Sequence, residues 1–223
     1  MKKILHSLAA IVILNSTFLI LNSYGQWSQQ HPLNISYKFN CVHFLNLQIG
    51  YIAGEGGNIW KTINYGANWS DQSTSTALDV GSLLFFDFNT GFAACGSILS
   101  DSSKILRTTN GGFDWSIKYT GYHIVFTKGI HFINTNTGFV SGLSDNDSAI
   151  VKTTDSGWNW QKIKTDNVRG VEKFSFVNAN TGYAAGYATD SKACVLKTTD
   201  TGGNWTNTYT HPTAPKSTST YFE

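Results

Sequence analysis

The sequence is organised around an eight-residue motif that occurs four times, at an interval of about 45 residues. Each copy ends in Trp, with Gly three positions earlier, Asp or Asn five positions earlier and Thr seven positions earlier. The residues at these positions are Thr62, Asn64, Gly66 and Trp69; Thr108, Asn110, Gly112 and Trp115; Thr153, Asp155, Gly157 and Trp160; and Thr198, Asp200, Gly202 and Trp205. Glycine permits a positive φ, an Asp or Asn oxygen can accept from backbone N–H groups, and a Trp ring can be buried beneath a turn. We therefore interpret the motif as a structural hairpin turn, without a catalytic or ligand-binding role.

A ten-residue block precedes each motif and predicts two further strands. The blocks begin at Val42, Leu83, Ile130 and Phe174, and they share Phe at the third position and Gly followed by an aromatic residue at the end. The alternation at the start favours a half-buried strand, and the Asn or Asp at the fifth position favours a turn. The apolar pair before each motif and the segment after its Trp add two more strands. Each repeat therefore predicts four strands.

Four strands at this interval predict an all-β chain folded as a β-propeller, with complete blades at about residues 42–72, 83–118, 130–163 and 174–208. Trp27 and Phe222 fit the same phase of the repeat, so we expect a partial blade at each end. Propellers contain about four to eight blades. We interpret residues 26–223 as part of a larger propeller of about seven blades.

The motif resembles the Asp-box, or bacterial neuraminidase repeat. The longer unit, in which Gly182-Tyr-Ala-Ala-Gly186 precedes Leu196-Lys-Thr-Thr-Asp200 and the rest of the motif, is similar to the photosystem II stability and assembly factor family of Asp-box propellers. The resemblance covers about residues 27–222 and implies the fold. Because Asp-boxes occur in sialidases, glycanases, receptors and non-enzymatic propellers alike, the resemblance does not decide between these activities.

The first 25 residues have the pattern of a cleavable signal peptide. Lys2 and Lys3 precede an apolar stretch from Ile4 to Leu21, and a small-residue cleavage site ends at Gly25. We expect no transmembrane span once the signal is removed. The sequence therefore predicts a secreted or cell-surface protein, and it resembles exported proteins of Bacteroidota-type bacteria.

The charge balance argues against a nucleic-acid partner. The chain has 16 Lys and Arg against 14 Asp and Glu, and loss of Lys2 and Lys3 with the signal makes the two numbers equal. A balanced chain lacks the basic surface that nucleic acids require. The remaining partner classes are proteins and glycans.

The histidines and cysteines do not suggest a metal or cofactor site. His43 and His131 occupy the same block position, but the other two blocks lack a His there, so we interpret both as packing residues. The three cysteines fall at different points of the repeat and are interpreted as buried thiols: Cys41, Cys95 and Cys194. We predict neither a metal nor a cofactor.

Repeat length varies between the second and third strands, where we expect loops at 96–104, 143–148 and 187–192. Variable loops on a rigid scaffold commonly carry binding function. The candidate binding residues in these loops are Asp101, Asp145, Asp147 and Asp190. Asp145 and Asp147 could alternatively supply oxygen ligands to Ca²⁺ or form a solvated polar turn.

These observations favour a non-enzymatic scaffold or interaction module that binds a protein or glycan through the face carrying the variable loops. One alternative is a glycoside hydrolase of sialidase or neutral-glycan type. Sialidase chemistry would need an arginine cluster, a Tyr–Glu nucleophile pair and an Asp acid, whereas Arg107 and Arg169 are the two arginines of the chain. We therefore predict no catalytic residue. The family resemblance implies a further alternative, an assembly-factor role for a membrane complex.

Overall fold

The computed structural model describes residues 38–97, 102–122, 124–144 and 149–212. Strands dominate these ranges, and the helical segment within them is a 3-10 turn at Glu55–Gly57. The predicted all-β class is confirmed. In the described part of the chain, no helix has the length and apolarity to cross a membrane. The predicted signal peptide and the partial blades around Trp27 and Phe222 lie outside the described residues.

The strands form four blades, each made of four antiparallel strands paired in chain order. Blade 1 contains β1 (Phe39–Phe44), β2 (Gly50–Gly54), β3 (Ile59–Thr62) and β4 (Ser70–Asp71), and blade 2 contains β5 (Asp79–Phe85), β6 (Gly91–Ser97), β7 (Ser102–Thr108) and β8 (Ser116–Tyr122). Blade 3 contains β9 (Ile124–Phe132), β10 (Gly138–Ser144), β11 (Ile150–Thr153) and β12 (Gln161–Ile163), and blade 4 contains β13 (Val168–Phe176), β14 (Gly182–Ala188), β15 (Ala193–Thr198) and β16 (Thr206–Thr210). A single backbone pairing between Leu143 and Gly170 joins the sheets of blades 3 and 4.

The strands extend further than the sequence predicts. The segment predicted as the longest loop is largely paired, because Gly96 lies opposite Ser103 and Ser97 lies opposite Ser102 in the ladder between β6 and β7. The loop prediction for 96–104 is therefore wrong at both of its ends. These Gly and Ser residues have no apolar alternation to indicate a strand, but the ladder satisfies their backbone hydrogen bonds.

The two kinds of connection lie at opposite ends of each blade, since consecutive strands are antiparallel. The turn between the first and second strands and the motif turn share one end, which we call the motif edge. In blade 3, the Ser156 N–H donates to the Asn136 carbonyl at 3.0 Å, and its hydroxyl donates to the Asn136 side-chain oxygen at 2.7 Å. The loops between the second and third strands lie at the other end, the loop edge.

The apolar core lies between the blades. At each boundary, the aromatic residue that begins the second strand of one blade packs against the first-strand Phe of the next blade. Tyr51 stacks on Phe85 with ring centroids 3.7 Å apart, and Phe139 stacks on Phe176 at 5.2 Å. Burial of each such ring contributes about 2–3 kcal/mol. The aromatic position that ends the ten-residue block thus holds neighbouring sheets face to face.

Candidate binding surface

Each motif folds into the same hydrogen-bonded turn. In blade 4, the Thr198 hydroxyl oxygen accepts from the Gly202 N–H at 3.0 Å, and its O–H donates to the Asp200 carboxylate at 2.8 Å. The Asn204 N–H donates to the same carboxylate oxygen at 2.9 Å. The equivalent acceptors in the other blades are Asn64, Asn110 and Asp155. These polar atoms form hydrogen bonds within the turn itself. The geometry of the motif therefore supports its interpretation as a structural hairpin turn.

The backbone of the turn depends on the motif glycine. Its φ is positive in every blade, from 69° at Gly202 to 92° at Gly112, in the region that glycine adopts without strain. In blade 4, a Cβ at Gly202 would overlap the ring of Phe139 from blade 3. The glycine therefore serves both the turn and the approach of the neighbouring blade.

Each motif Trp ring packs edge-on against the first-strand Phe of its own blade, but the four rings use their N–H groups differently. The indoles of Trp69 and Trp160 donate to the carbonyl of their own motif glycine, at 3.0 and 3.2 Å. The Trp115 indole instead donates to the Gln72 carbonyl of the preceding blade at 3.1 Å. The buried Trp205 N–H has no acceptor within the described residues.

The motif carboxylates are held in their ionised form. The backbone N–H of Asn204 is the main cause that lowers the pKa of Asp200 from 3.8 to about 2. The corresponding hydrogen bond from Asn159 lowers the pKa of Asp155. Because a low pKa prevents proton donation near neutral pH, these carboxylates are unsuited to general-acid chemistry.

The motif edge carries a set of exposed apolar side chains. They come from the motifs and from the turns between first and second strands: Leu47, Ile63 and Tyr65 in blade 1, Phe88 and Phe113 in blade 2, Trp158 in blade 3 and Val177 in blade 4. Phe113 is 78% exposed and Trp158 is 51% exposed. Exposed aromatic residues clustered on one side of a protein are typical of interaction surfaces.

A basic residue lies beside this edge in every blade. Lys61, Arg107, Lys152 and Lys197 follow the apolar pair of the third strand, and each is positioned over the aromatic ring of the adjacent second strand. Burial lowers the pKa of both Lys61 and Lys152, and the carboxylate of Asp200 partly opposes this for Lys152. The four blades thus present one repeated cation–aromatic pair.

At each blade boundary, the next blade contributes a different group to the cation–aromatic pair. The Lys61 ammonium donates to the Gly111 carbonyl of blade 2 at 3.0 Å. The Arg107 guanidinium lies 4.4 Å from the ring centroid of Trp158 of blade 3, and Lys118 lies 4.2 Å from the same centroid. At the third boundary the position equivalent to Trp158 is Gly203, which adds no side chain.

An open cavity of about 480 Å³ occupies this third boundary. Its lining includes Lys152, Thr154, Asp155, Gln161 and Gly203, so it combines an ammonium group, a carboxylate, an amide and a hydroxyl. A second cavity, of about 340 Å³, lies beside the first-strand turns of blades 3 and 4, and its lining includes Phe132, Phe176 and Asn178. The cavity at the third boundary gives the motif edge groups for hydrogen bonding beside its exposed aromatic side chains.

Of the four predicted loop aspartates, Asp190 lies within the described residues. Asp190 is exposed, forms an ion pair with Lys192 at 2.7 Å and accepts from the Lys192 N–H at 3.2 Å. These interactions lower the pKa of its carboxyl. Asp101, Asp145 and Asp147 lie outside the described residues, so the loop site stays a prediction. In the described ranges, no three His, Cys, Asp or Glu side chains are grouped to hold a metal ion.

A Tyr–Glu hydrogen bond at the loop edge was not indicated by the sequence. The Tyr187 hydroxyl donates to the Glu172 carboxylate at 2.9 Å, across the ladder between β13 and β14. Burial, reinforced by Glu172, raises the pKa of Tyr187 to about 12. Tyr187 therefore stays protonated and acts as a hydrogen-bond donor. The two residues are 15 positions apart in the sequence, and no local pattern indicated their contact.

The histidines and cysteines belong to the packing of the sheets. His43 accepts from the Phe85 N–H of the next blade at 3.2 Å, and His131 stacks on Phe176 with centroids 5.4 Å apart. Burial lowers the pKa of both imidazoles. All three cysteines are free thiols; Cys95 and Cys194 are buried, and Cys41 is half-buried.

Antiparallel four-stranded sheets that pack face to face, each with the same turn at one edge, define a β-propeller scaffold. No family model matches the chain. It is similar to the photosystem II assembly lipoprotein Ycf48 of Synechococcus sp. (strain CC9902), with 26% identity over 141 residues, which are 62% of this chain and 38% of the relative. The chain thus spans well under half the length of this curated relative.

Solved structures with the same fold include an enzyme and a YCF48 protein. An ancestral GH74 enzyme matches with a TM-score of 0.61 and 18% identity, over 78% of this chain and 26% of that one. YCF48 from Cyanidioschyzon merolae matches with a TM-score of 0.57 and 15% identity, over 80% and 58% of the two chains. At these identities the likeness confirms the β-propeller fold and leaves the activity undecided.

Proposed function

We propose that this chain is an exported, non-enzymatic β-propeller that binds a protein or a glycan. The observation that carries the proposal is the set of exposed aromatic and apolar side chains on the motif edge, which includes Trp158 and Phe113. Each ring offers a large contact area with little loss of side-chain entropy on binding. The Asp-box resemblance and the signal-peptide pattern support export and a scaffold role.

The relative's name supports protein binding in particular. Ycf48 is described as an assembly lipoprotein, and an assembly factor acts by contacting other proteins. For this chain, the motif edge offers exposed aromatic side chains of the kind that protein interfaces favour. The loop edge, with Asp190 and the three aspartates outside the described residues, is the face through which the sequence predicted binding, and this binding role stays a prediction.

Array binding tests this proposal. The purified protein would be applied to glycan and peptide arrays, and a specific hit would be titrated with wild-type protein and with Trp158→Ala and Phe113→Ala. Loss of either ring should weaken binding about tenfold, as expected for a central aromatic contact. Tyr209→Ala is the matched control, because Tyr209 is an exposed aromatic near the loop-edge end of β16. Unchanged affinity of both motif-edge variants would refute the proposal that the motif edge is the binding surface.

Glycoside hydrolysis is the second candidate, and the Tyr187–Glu172 contact is the observation that favours it. A Tyr–Glu pair is part of the chemistry predicted for a sialidase-like enzyme. The raised pKa of Tyr187 opposes a nucleophilic role, since the phenolate would be scarce near neutral pH. Hydrolysis of a panel of glycosides, abolished by Glu172→Gln, would establish an enzyme and overturn the non-enzymatic proposal.

A further inference from the structure

The boundary between blades 2 and 3 shows how this fold covers the basic residue of a third strand. The Arg107 Cζ atom lies 5.9 Å from the ring centroid of Phe92 in its own blade and 4.4 Å from that of Trp158 in the next blade. The Lys118 ammonium lies 4.2 Å from the centroid of the same indole. Attraction between each cation and the ring stabilises this arrangement. An indole supplied by the following blade therefore covers the basic residue.

The boundary between blades 3 and 4 has the same kind of cation without a second ring. The Lys152 ammonium lies 5.8 Å from the ring centroid of Phe139 in its own blade. The position of Trp158 is taken in blade 4 by Gly203, which has no side chain. Among the described residues, no second aromatic ring lies over Lys152 and no acceptor forms a hydrogen bond with its ammonium. The next blade thus leaves this cation uncovered.

The open cavity of about 480 Å³ lies where the second boundary holds an indole. The counterparts of Arg107, Lys118 and Trp158, counted from the motif Trp of each blade, are Lys152, Ile163 and Gly203. All three of these counterparts line the cavity. Its volume is within the range of ligand-binding pockets. The cavity therefore corresponds in position to a side chain that blade 3 supplies and blade 4 lacks.

The motif Trp of blade 4 also leaves this boundary less closed than the first one. Trp115 of blade 2 donates its N–H to the carbonyl of Gln72 in blade 1, the third residue after that blade's motif Trp. The third residue after the motif Trp of blade 3 is Ile163, in the cavity wall. The buried N–H of Trp205 in blade 4 has no acceptor in the part of the chain that the structure describes. The indole hydrogen bond that joins blades 1 and 2 thus has no equivalent there.

We propose that this cavity receives an aromatic side chain of a partner protein, which would lie against Lys152 and Ile163. The inference rests on the proposed protein binding by the motif edge and names the group that the edge recognises. Trp suits the polar lining, since its N–H can donate to the Gln161 side-chain oxygen. A sugar ring fits less well, because Phe139 is fully buried and leaves no aromatic face for the sugar to stack on.

Nuclear magnetic resonance of the ¹³C-labelled protein tests the proposal, with N-acetyl-L-tryptophanamide as the probe. The probe should shift the ε-methylene signals of Lys152 and the methyl signals of Ile163 upfield, because an aromatic ring shields the nuclei above its face. N-acetyl-L-leucinamide is the apolar control. It should bind about fivefold more weakly, since it lacks the attraction between a ring and an ammonium group.

A substitution that fills the cavity separates specific from general binding of the probe. Gly203→Trp places an indole where blade 3 has Trp158, and the probe should then no longer shift the Lys152 and Ile163 signals. Ala67→Trp is the matched control, because Ala67 has the same motif position in blade 1 and does not line the cavity. It should leave probe binding unchanged. Circular dichroism would establish that both variants are folded.

Absence of probe-induced shifts at Lys152 and Ile163 would overturn the inference, as would shifts that persist in Gly203→Trp. A glycan that produces these shifts in place of the probe would assign the cavity to a sugar and overturn it as well. A peptide from the arrays that binds Gly203→Trp as tightly as the wild type would overturn the inference and leave the proposed function in place. Arrays without any ligand would count against the proposed function, and the probe titration decides the inference in that case too.

Discussion

The indole of Trp158 lies against the guanidinium of Arg107, whose Cζ atom is 4.4 Å from the ring centroid, and the two residues belong to neighbouring blades. Arg107 is 9% exposed, and its Nε and one terminal nitrogen have no hydrogen-bond acceptor within the described residues. A cation shielded from water in this way depends on ring contacts for its stabilisation. The boundary between blades 2 and 3 therefore rests partly on a side chain at the surface.

Trp158→Ala should lower the free energy of unfolding by about 1–2 kcal/mol, because it removes the ring contacts of Arg107 and Lys118. Phe113→Ala is the control, since Phe113 has the same motif position and is more exposed. Its effect should be within about 0.5 kcal/mol of zero. Urea unfolding, followed by far-ultraviolet circular dichroism rather than by Trp fluorescence, measures the free energy of unfolding of both variants. Equal effects of the two substitutions would contradict the role given to Trp158.

Thr198→Val should cost about 2 kcal/mol, because it preserves the shape of a buried side chain while leaving the Gly202 N–H without its acceptor. Thr199→Val changes the neighbouring exposed residue and should be nearly neutral. Urea midpoints of the two variants, compared at equal slope, provide the test. A neutral Thr198→Val would show that the motif hydroxyl does not support the turn.

Gly202→Ala should be more destabilising than Gly203→Ala. Gly202 has φ of +69°, which costs an alanine about 1–2 kcal/mol, and the added methyl group would also overlap the ring of Phe139. At the equivalent position of Gly203, blade 1 carries Ala67, so the backbone there accepts a side chain. Thermal unfolding of both variants measures the difference, and the reverse order of stability would exclude the proposed double role of the glycine.

Acid should weaken the motif of blade 4. The pKa of Asp200 is about 2 in the folded chain against an ordinary 3.8, so its stabilising effect is complete above the higher value and is lost as the pH falls toward the lower one. Asp200→Asn keeps the oxygen acceptor, as Asn64 and Asn110 do in blades 1 and 2. The variant should therefore lose less stability than the wild type between about pH 4 and pH 2. Parallel curves of urea midpoint against pH would disprove this.

The repeat predicted the blade architecture because its residues act over short distances. The motif threonine, the Asp or Asn and the glycine bond within four residues of one another, so their spacing alone indicates the turn. The strand boundaries were harder to predict. Ser102 and Ser103 pair with Ser97 and Gly96. Small polar residues of this kind have a low strand propensity, so they form a strand here because the neighbouring strand accepts and donates their backbone hydrogen bonds.

The sequence by itself determined the scaffold: four similar sheets, each closed by a glycine-dependent turn, with an aromatic ring on the face that meets the next blade. Only the tertiary structure decided which side chains contact one another at each blade boundary. Residues about 50 positions apart must meet there, as Arg107 meets Trp158 and Lys61 meets Gly111, and no local spacing encodes those meetings. The residue after the motif glycine therefore has different roles in two blades. Trp158 stacks on the guanidinium of Arg107, whereas Gly203 has no side chain and borders an open cavity.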